Sequence, residues 1–155
     1  MPHKSPPVFA AVEPRALGLS HLAHFLGVFV NQQVLAGMRR AGYTELRESH
    51  GYLVQHLLRG PHSVGQLAKL LGVTQQAVSK TVAELTRAGY LETTPGDDAR
   101  LRLVRLTARG HASVSAARRF RNRLEARFKR RLGERQVQKL HAALLQLIDE
   151  LVQRK

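Results

Sequence analysis

Residues 63–107 decide the fold, and they read SVGQLAKLLGVTQQAVSKTVAELTRAGYLETTPGDDARLRLVRLT. Ser63 and Gln66 form the S-x-x-Q pattern of a capping box, which predicts that a helix begins here. The apolar residues of this helix fall on one face, at spacings of three and four: Val64, Leu67, Ala68 and Leu71. Gly72 suits a left-handed helix end, and Thr74 can cap a second helix.

The second helix is predicted to have two unlike faces. Its buried stripe consists of Val78, Val82 and Leu85. The opposite face is free of bulky apolar groups and carries Gln76, Ser79, Lys80, Ala83 and Arg87. Amides, hydroxyls and cations can hydrogen-bond base edges and phosphates in the major groove of DNA. The plainer alternative is that two amphipathic helices joined by a glycine turn merely pack together.

A hairpin is predicted after the two helices. Strand-like runs at 90–94 and 101–106 flank the turn-forming sequence PGDD at 95–98. Arg100 and Arg102 make the second half of this hairpin basic. A helix-turn-helix followed by a basic hairpin predicts a mainly α protein with a winged helix-turn-helix.

Composition favours a polyanionic partner. The 155 residues include 25 Lys and Arg against 11 Asp and Glu, which gives a net charge of +14. Residues 100–131 hold twelve of the cations and a single acid, Glu125. The chain has no cysteine, so disulfides and thiolate metal sites are excluded. We expect no membrane span and no signal peptide, and hence a cytoplasmic protein.

The segments on either side of the winged unit are predicted to be helical. Apolar residues are dense between 15 and 40, and further helices are predicted at 44–58, 107–132 and 134–153. The core candidates of the helix at 44–58 are Leu46, Leu53, Val54 and Leu57. We divide the chain into a flexible arm (1–14), a DNA-binding unit (42–106) and a helical dimerisation lobe (15–41 with 107–155).

The first helix and the last two helices carry more apolar surface than a small winged unit can cover. The last helix has an a/d seam of Val137, Leu140, Leu144, Leu147 and Leu151, which is typical of helix pairing. The sequence therefore predicts a homodimer formed by the two ends of the chain, with a monomer as the alternative.

The chain resembles the MarR family of bacterial transcriptional regulators. The resemblance rests on the stretches GPHSVGQLAKLLGVTQQAVSKTVAELTRAGYLE and DDARLRLVRLTARG. The matching positions are Leu67, Ala68, Leu71, Gly72, Val73, Val78, Ser79, Val82, Leu85, Gly89, Asp98, Arg100, Leu106, Thr107 and Gly110. Ala99 departs from the pattern, since many members have an arginine there, and this puts a second wing-tip contact in doubt.

The resemblance implies a homodimer that binds a pseudo-palindromic operator, with its recognition helices in the major groove and its wings in the minor groove. It also implies release by a small ligand, and we expect the output to be repression. The DNA-binding residues are predicted to be Ser63, Thr74, Gln75, Gln76, Ser79, Lys80, Arg87, Asp98, Arg100 and Arg102. In the wing, Arg100 is expected to enter the minor groove and Asp98 to hold the wing in place.

Three other functions are less well supported by the sequence. An enzyme is disfavoured because the chain has no nucleophile motif, phosphate loop or H-E-x-x-H, and no cofactor is expected. His21 and His24 have a metal-compatible spacing, but too few further ligands accompany them for a metal site. The main alternative is a sequence-independent nucleoid protein, or a membrane-surface protein, that uses the arginine-rich helix and the twelve cations at 100–131.

A ligand pocket is a further hypothesis. Aromatic and histidine side chains are expected to meet where the helical lobe joins the winged unit, and they are His24, Phe25, His50, Tyr52 and His111. An aromatic or anionic effector would suit such a pocket. Partly buried packing is the alternative explanation for these residues.

Overall fold

The computed structural model describes residues 14–96 and 102–152. A short 3₁₀ turn at Pro14–Ala16 precedes six helices and three strands in this part of the chain. The helices are α1 (Leu19–Arg40), α2 (Glu48–Leu57), α3 (Val64–Leu71), α4 (Gln75–Arg87), α5 (Ala108–Leu132) and α6 (Glu134–Val152). The strands are β1 (His62–Ser63), β2 (Leu91–Pro95) and β3 (Arg102–Leu106). The expected mainly α, winged helix-turn-helix architecture is confirmed.

Local capping fixes the helix-turn-helix as the sequence predicts. The backbone N–H of Gln66 donates to Ser63 Oγ at 3.2 Å, and the N–H of Ser63 donates to Gln66 Oε1 at 2.8 Å. Gly72 ends α3 with φ +66° and ψ +31°, the left-handed conformation that costs glycine least. Thr74 Oγ1 then accepts the N–H of Ala77 at 3.2 Å and starts α4.

The sheet has one strand that the sequence analysis missed. Its order is β1-β3-β2, with both pairings antiparallel. The extra strand is only two residues long and pairs His62 with Val104 and Ser63 with Leu103. Two residues are too few for an alternating pattern to be visible in the sequence. The wing turn, with Asp98 and Arg100, lies outside the described residues.

The core of the winged unit lies between the helix-turn-helix and the sheet. Leu67, Leu85, Tyr90, Leu91 and Val104 are each no more than 1% exposed. Three of the four core candidates predicted for α2 are also buried, namely Leu46, Leu53 and Leu57, while Val54 packs against this core. Burial of these side chains fixes how α4 and the wing sit on the rest of the unit.

One predicted helix start is wrong. The second helix begins at Glu48 and not at Thr44, because residues before it are used in tertiary contacts: Leu46 is buried and Glu45 accepts a hydrogen bond from Tyr90. Within the apolar stretch at 15–40, the first helix begins at Leu19, because Gly18 has extended backbone, φ −67° and ψ 163°, and acts as its N-cap residue.

Helices α1, α5 and α6 pack together beside the winged unit. Gly37 of α1 lies against the Phe120 ring of α5, where an added Cβ would come within 2.5 Å of a ring carbon. Much apolar surface of α1 and α6 is nevertheless exposed in the single chain, including Leu19, Leu22, Leu26, Leu140, Leu145, Leu147, Ile148, Leu151 and Val152. Within the described residues, none of the helices combines the length and the apolarity that a membrane span requires.

Candidate nucleic-acid interface

Helix α4 presents a polar face to solvent. Val78, Val82 and Leu85 are buried beneath it, at 2%, 7% and 1% exposure. The side chains predicted to point outward are all exposed, namely Gln76, Ser79, Lys80, Ala83 and Arg87. Because the buried stripe holds α4 against the core, these outward groups are presented on a rigid support.

The start of α4 adds further polar groups to this surface. Gln75 and Thr74 are exposed. The amide of Gln75 lies over the first turn of α3, since a Cβ added at Gly65 would be 3.5 Å from Gln75 Nε2. Ser63, a predicted DNA contact just before α3, uses its hydroxyl to cap that helix. Its side chain therefore positions the start of α3 in addition to any outside contact.

The cations of α4 differ in how they are held. Arg87 Nε donates to the carbonyl of Ala83, one turn earlier, at 3.4 Å. Lys80 makes no ion pair with any carboxylate among residues 14–96 and 102–152. An unpaired ammonium group on an exposed helix face is available to a phosphate.

The described part of the wing carries two arginines in defined positions. Arg102 Nη2 donates to Thr93 Oγ1 at 2.9 Å, which ties β3 to β2 across the hairpin. Arg105 Nε lies 2.9 Å from Glu92 Oε1 in an exposed pair. Arg102 is thus placed near the wing turn by the opposite strand.

Tyr90 joins the helical lobe to the wing, and the sequence analysis missed this junction. Its hydroxyl donates to Glu45 Oε2 at 2.8 Å and accepts from Arg109 Nη2 at 3.2 Å. The guanidinium of Arg109 also stacks over the Tyr90 ring, 4.8 Å from its centroid. Burial raises the pKa of Tyr90, while a hydrogen bond from its own backbone and then the Tyr90 hydroxyl lower the pKa of Glu45.

A second polar link ties α2 to α4. Arg47 forms an ion pair with Glu84, on the inner side of α4. His50 is 3% exposed, and its Nδ1 accepts the backbone N–H of Arg47 at 3.3 Å. With the proton on Nε2, the ring faces Glu84 Oε2 at 3.8 Å. Nε2 also lies 3.3 Å from Arg47 Nε, a contact that is a hydrogen bond only in the other tautomer.

The state of His50 gives this link a pH dependence. Burial, followed by the charge of Arg47, lowers the pKa of His50, and Glu84 opposes them. The unfolded chain therefore binds a proton at a higher pH than the folded protein does. The stability contributed by neutral His50 is present above about pH 6.5, the ordinary value, and is lost as the pH falls below it.

We expect His50→Asn to flatten this dependence, because the amide can accept the Arg47 N–H but does not titrate. Between pH 7.5 and 5.5, the free energy of unfolding should fall more steeply for the wild type than for the variant. The difference in slope for one proton is at most about 1.4 kcal/mol per pH unit. Urea denaturation of both proteins at several pH values measures the difference. Titration of Glu45 does not interfere, because its pKa is lowered from 4.5 and its effect on stability therefore appears only at lower pH. Parallel stability curves would rule out His50 as the titrating group.

A cavity of about 330 Å³ lies between α1, α2 and α5. Of the residues predicted to form a pocket, it brings together His50 and Tyr52. His24, Phe25 and His111 are not among its lining residues. His24 packs edge-on against Phe25 farther along α1, at 5.6 Å between ring centroids, and His111 is exposed on α5. The lining residues of α1 begin at Asn31, and His24 and Phe25 lie about 10 Å before it along the helix axis. His111 lies on a different side of α5 from the lining residues Ser113, Ala117 and Arg121.

Two arginines that the sequence analysis did not associate with the cavity also line it. Arg47 comes from the start of α2, and Arg121 from α5 donates to Asn31 Oδ1 at 3.0 Å. Across the residues that the structure describes, no cluster of three or more His, Asp or Glu is placed to hold a metal ion.

The winged segment matches a known family. Residues 46–101, which run from just before α2 through the wing turn, match the model of the MarR family. In a comparison with curated proteins, no sequence matches this chain.

Solved structures extend the likeness to most of the chain. The transcriptional regulator Tm0710 from Thermotoga maritima is 21% identical with a TM-score of 0.66, covering 88% of this chain and 96% of that one. Wild-type apo MarR from E. coli is 19% identical with a TM-score of 0.67, covering 84% and 96%. A mutant of S. aureus MepR bound to an oligodeoxyribonucleotide is 22% identical with a TM-score of 0.59, covering 87% and 99%. The winged helix-turn-helix segment of this chain thus matches the MarR family model, and most of the chain has the same fold as these solved regulators.

Proposed function

We propose that this protein is a transcriptional regulator that binds a pseudo-palindromic DNA operator as a homodimer and acts as a repressor. The observation that carries the proposal is the exposed polar face of α4 above its buried stripe, within a segment that matches the MarR family model. Such a partner would place the protein in the cytoplasm with the chromosome.

The roles of the α4 residues follow from their chemistry. Gln75, Gln76 and Ser79 would read or adjoin bases, since an amide can pair with two atoms of adenine in the major groove. Lys80 and Arg87 would neutralise phosphates and fix the register of the helix on the duplex. A similar fold, that of the S. aureus MepR mutant, was solved with an oligodeoxyribonucleotide bound.

In the wing, Arg102 is the described residue that would add a phosphate contact, because the opposite strand holds it near the turn. Arg100 and Asp98 keep the roles proposed from the sequence, a minor-groove contact and its support. Ser63 and Thr74 would offer their helix N-termini, where free N–H groups favour a phosphate.

A second copy of the chain would complete the operator-binding unit. The exposed apolar side chains of α1 and α6 would be buried against their counterparts. Two α4 helices related by a two-fold axis would then read two half-sites, and a pseudo-palindromic operator follows from that symmetry.

A small aromatic or anionic ligand would bind in the cavity between α1, α2 and α5. Arg47 and Arg121 would supply positive charge and Tyr52 an aromatic surface. Because Arg47 also pairs with Glu84, a ligand that competes for its guanidinium would loosen the link between α2 and α4. Such a change would move α4 relative to the α4 helix of the second copy and would release DNA.

We expect Gln76→Ala to lose base readout. The preferred site, selected from random duplex DNA, should bind about 1–3 kcal/mol more weakly, while random DNA should bind nearly as before. Fluorescence anisotropy with both duplexes measures this. Repeating the selection with a library of aromatic acids tests ligand release.

Gln138→Ala is the matched control, because this exposed glutamine lies on α6 and away from α4. It should leave both affinities unchanged. If Gln76→Ala weakened binding to the preferred site and to random DNA equally, α4 would be contacting the backbone alone and the chain would not be sequence-specific.

A further inference from the structure

Helix α5 carries a line of four arginines that the proposed operator contact does not use. We define the arginine row as Arg119, Arg123, Arg127 and Arg130, which are all exposed. Their spacings of four, four and three residues place them on one side of the helix. They span eleven residues, or about 16 Å of helix.

The row has no acidic partner among the described residues. None of its members is in an ion pair, and Arg123 only stacks over the Phe120 ring, 5.3 Å from the centroid. Two carboxylates close to the row in the sequence, Glu125 and Glu134, interact with another cation, Lys129. A hydrogen bond of 2.8 Å to Glu134, together with the charge of Glu125, raises the pKa of Lys129.

The row does not stabilise the helix that carries it. Arg119, Arg123 and Arg127 are like charges one turn apart, and such pairs are destabilising. The apolar side of α5 packs against α1 and α6, so the row is on a part of the helix that the fold leaves outside. It is also unsuited to a symmetric contact with a second copy, where arginines would face arginines.

Distance along the chain separates the row from the wing. Helix α5 starts directly after β3, and Arg119 and Arg130 lie about 17 and 33 Å along its axis from Ala108. Beyond its first turns, α5 packs against α1 and α6 and away from the helix-turn-helix. A duplex lying on α4 and the wing is therefore not the segment that the row would contact.

We propose that the arginine row binds the phosphate backbone of a second segment of duplex DNA, so that one protein can join two segments. Guanidinium groups match phosphate oxygens in a two-pronged geometry. A duplex presents about ten charges over the length of the row, at one per roughly 1.7 Å. An anionic membrane fits less well, because surface-binding helices place large apolar side chains beside their cations, and the apolar stripe of α5 is packed inside.

The test is a capture experiment with the full chain. A duplex bearing the selected site is immobilised, protein is added, and retention of a labelled random duplex is measured. The row variant replaces all four arginines with glutamine: Arg119→Gln, Arg123→Gln, Arg127→Gln and Arg130→Gln. It should retain at least about tenfold less of the second duplex than the wild-type protein does. The slope of log affinity against log salt concentration for the capture step should fall in magnitude by about three to four when the four arginines are replaced. Affinity for the site on a single duplex should change by less than about threefold.

A control variant removes the same charge elsewhere. It carries Arg39→Gln, Arg40→Gln, Arg135→Gln and Lys139→Gln, all at exposed positions outside the row, and it should capture the second duplex normally. Circular dichroism and melting verify that both variants fold. The row variant should melt no lower than wild type, because repulsion along α5 has been removed.

Each outcome decides the proposal. Normal capture by the row variant would overturn it, because the two α4 helices alone would then explain joining. Equal loss of single-duplex binding and capture would assign the row to the operator contact. Row-dependent binding to phosphatidylserine vesicles, without capture of DNA, would identify a membrane surface. The inference depends on the proposed function only in that α4 binds the first duplex. If the protein preferred no particular site, retention of a random duplex that depends on the row would still support the inference.

Discussion

Leu147→Glu is expected to turn the dimer into a monomer and to remove operator binding with it. Leu147 is 40% exposed in the single chain, so the added carboxylate can reach water without disturbing the protomer. In the proposed dimer the same carboxylate would be buried in the apolar seam of α6, where an unpaired charge is very costly. Leu144 is a poorer choice, because it is partly covered within its own chain.

The loss of DNA binding should be large. A dimer gains most of its affinity because its second α4 binds a half-site at high effective concentration, and separating the copies should weaken operator binding by roughly 100-fold or more. Light scattering at micromolar concentration gives the mass, and anisotropy on the selected site gives the affinity.

Gln146→Glu adds the same charge at the neighbouring exposed position, on the side of α6 away from the seam. It should leave both the mass and the affinity unchanged. A wild-type protein with the mass of one chain would contradict the dimer. A monomeric Leu147→Glu variant that still bound the operator at full affinity would separate assembly from DNA binding.

The helix-turn-helix could be predicted closely because its signals are local. Ser63 and Gln66 are three residues apart and cap each other, and Gly72 and Thr74 end one helix and begin the next. Each signal acts within a single turn of helix, so no knowledge of the tertiary structure is needed. The stripe on α4 is equally local, since its period determines which side chains face outward.

The missed features all depend on residues far apart in the chain. Glu45 and Tyr90 are 45 residues apart, and Arg47 and Glu84 are 37 apart. Nothing in the pattern around Glu45 indicates that Tyr90 will meet it, because the contact exists only once the helices have packed. The start of α2 was misplaced for the same reason, since tertiary contacts keep residues 44–47 out of the helix.

The candidate pocket shows the same limit. His50 and Tyr52, two of the five predicted pocket residues, line the cavity, but Arg47 and Arg121 were not associated with it. Arg121 reaches the cavity from α5, and its rotation about that helix is set by packing against α1. The basic character of α5 was visible in the sequence, whereas the division of its arginines between cavity and open surface required the fold.

Gly110→Ala, in the first turn of α5, is expected to disrupt strongly the contact between α5 and the base of the wing. A Cβ at this position would lie 2.3 Å from the carbonyl oxygen of Tyr90 and 3.0 Å from Leu106 Cδ2. The first of these is a backbone atom that also accepts the N–H of Thr107 at 3.1 Å, so it cannot move without loosening the base of the wing. Relieving the overlap must push α5 away from the wing.

We expect this substitution to lower the free energy of unfolding by about 3 kcal/mol, at the upper end for overpacked sites. Urea denaturation measures the loss. In the absence of urea, operator binding by the folded variant should also weaken, because displacing α5 disturbs the base of the wing at Tyr90 and Leu106. The position belongs to the L-T-x-x-G pattern of the sequence, and the close approach of α5 to the Tyr90 carbonyl explains why a side chain is excluded there.

Gly51→Ala is the matched control, since Gly51 also lies within a helix but has no atom within 4 Å of an added Cβ. It should raise stability by about 0.5–1 kcal/mol, because alanine restricts the unfolded chain and favours the helix. The two substitutions add the same methyl group and are expected to act in opposite directions. If Gly110→Ala were as harmless as Gly51→Ala, contact between α5 and the Tyr90 carbonyl could not be what holds the wing against the helical lobe.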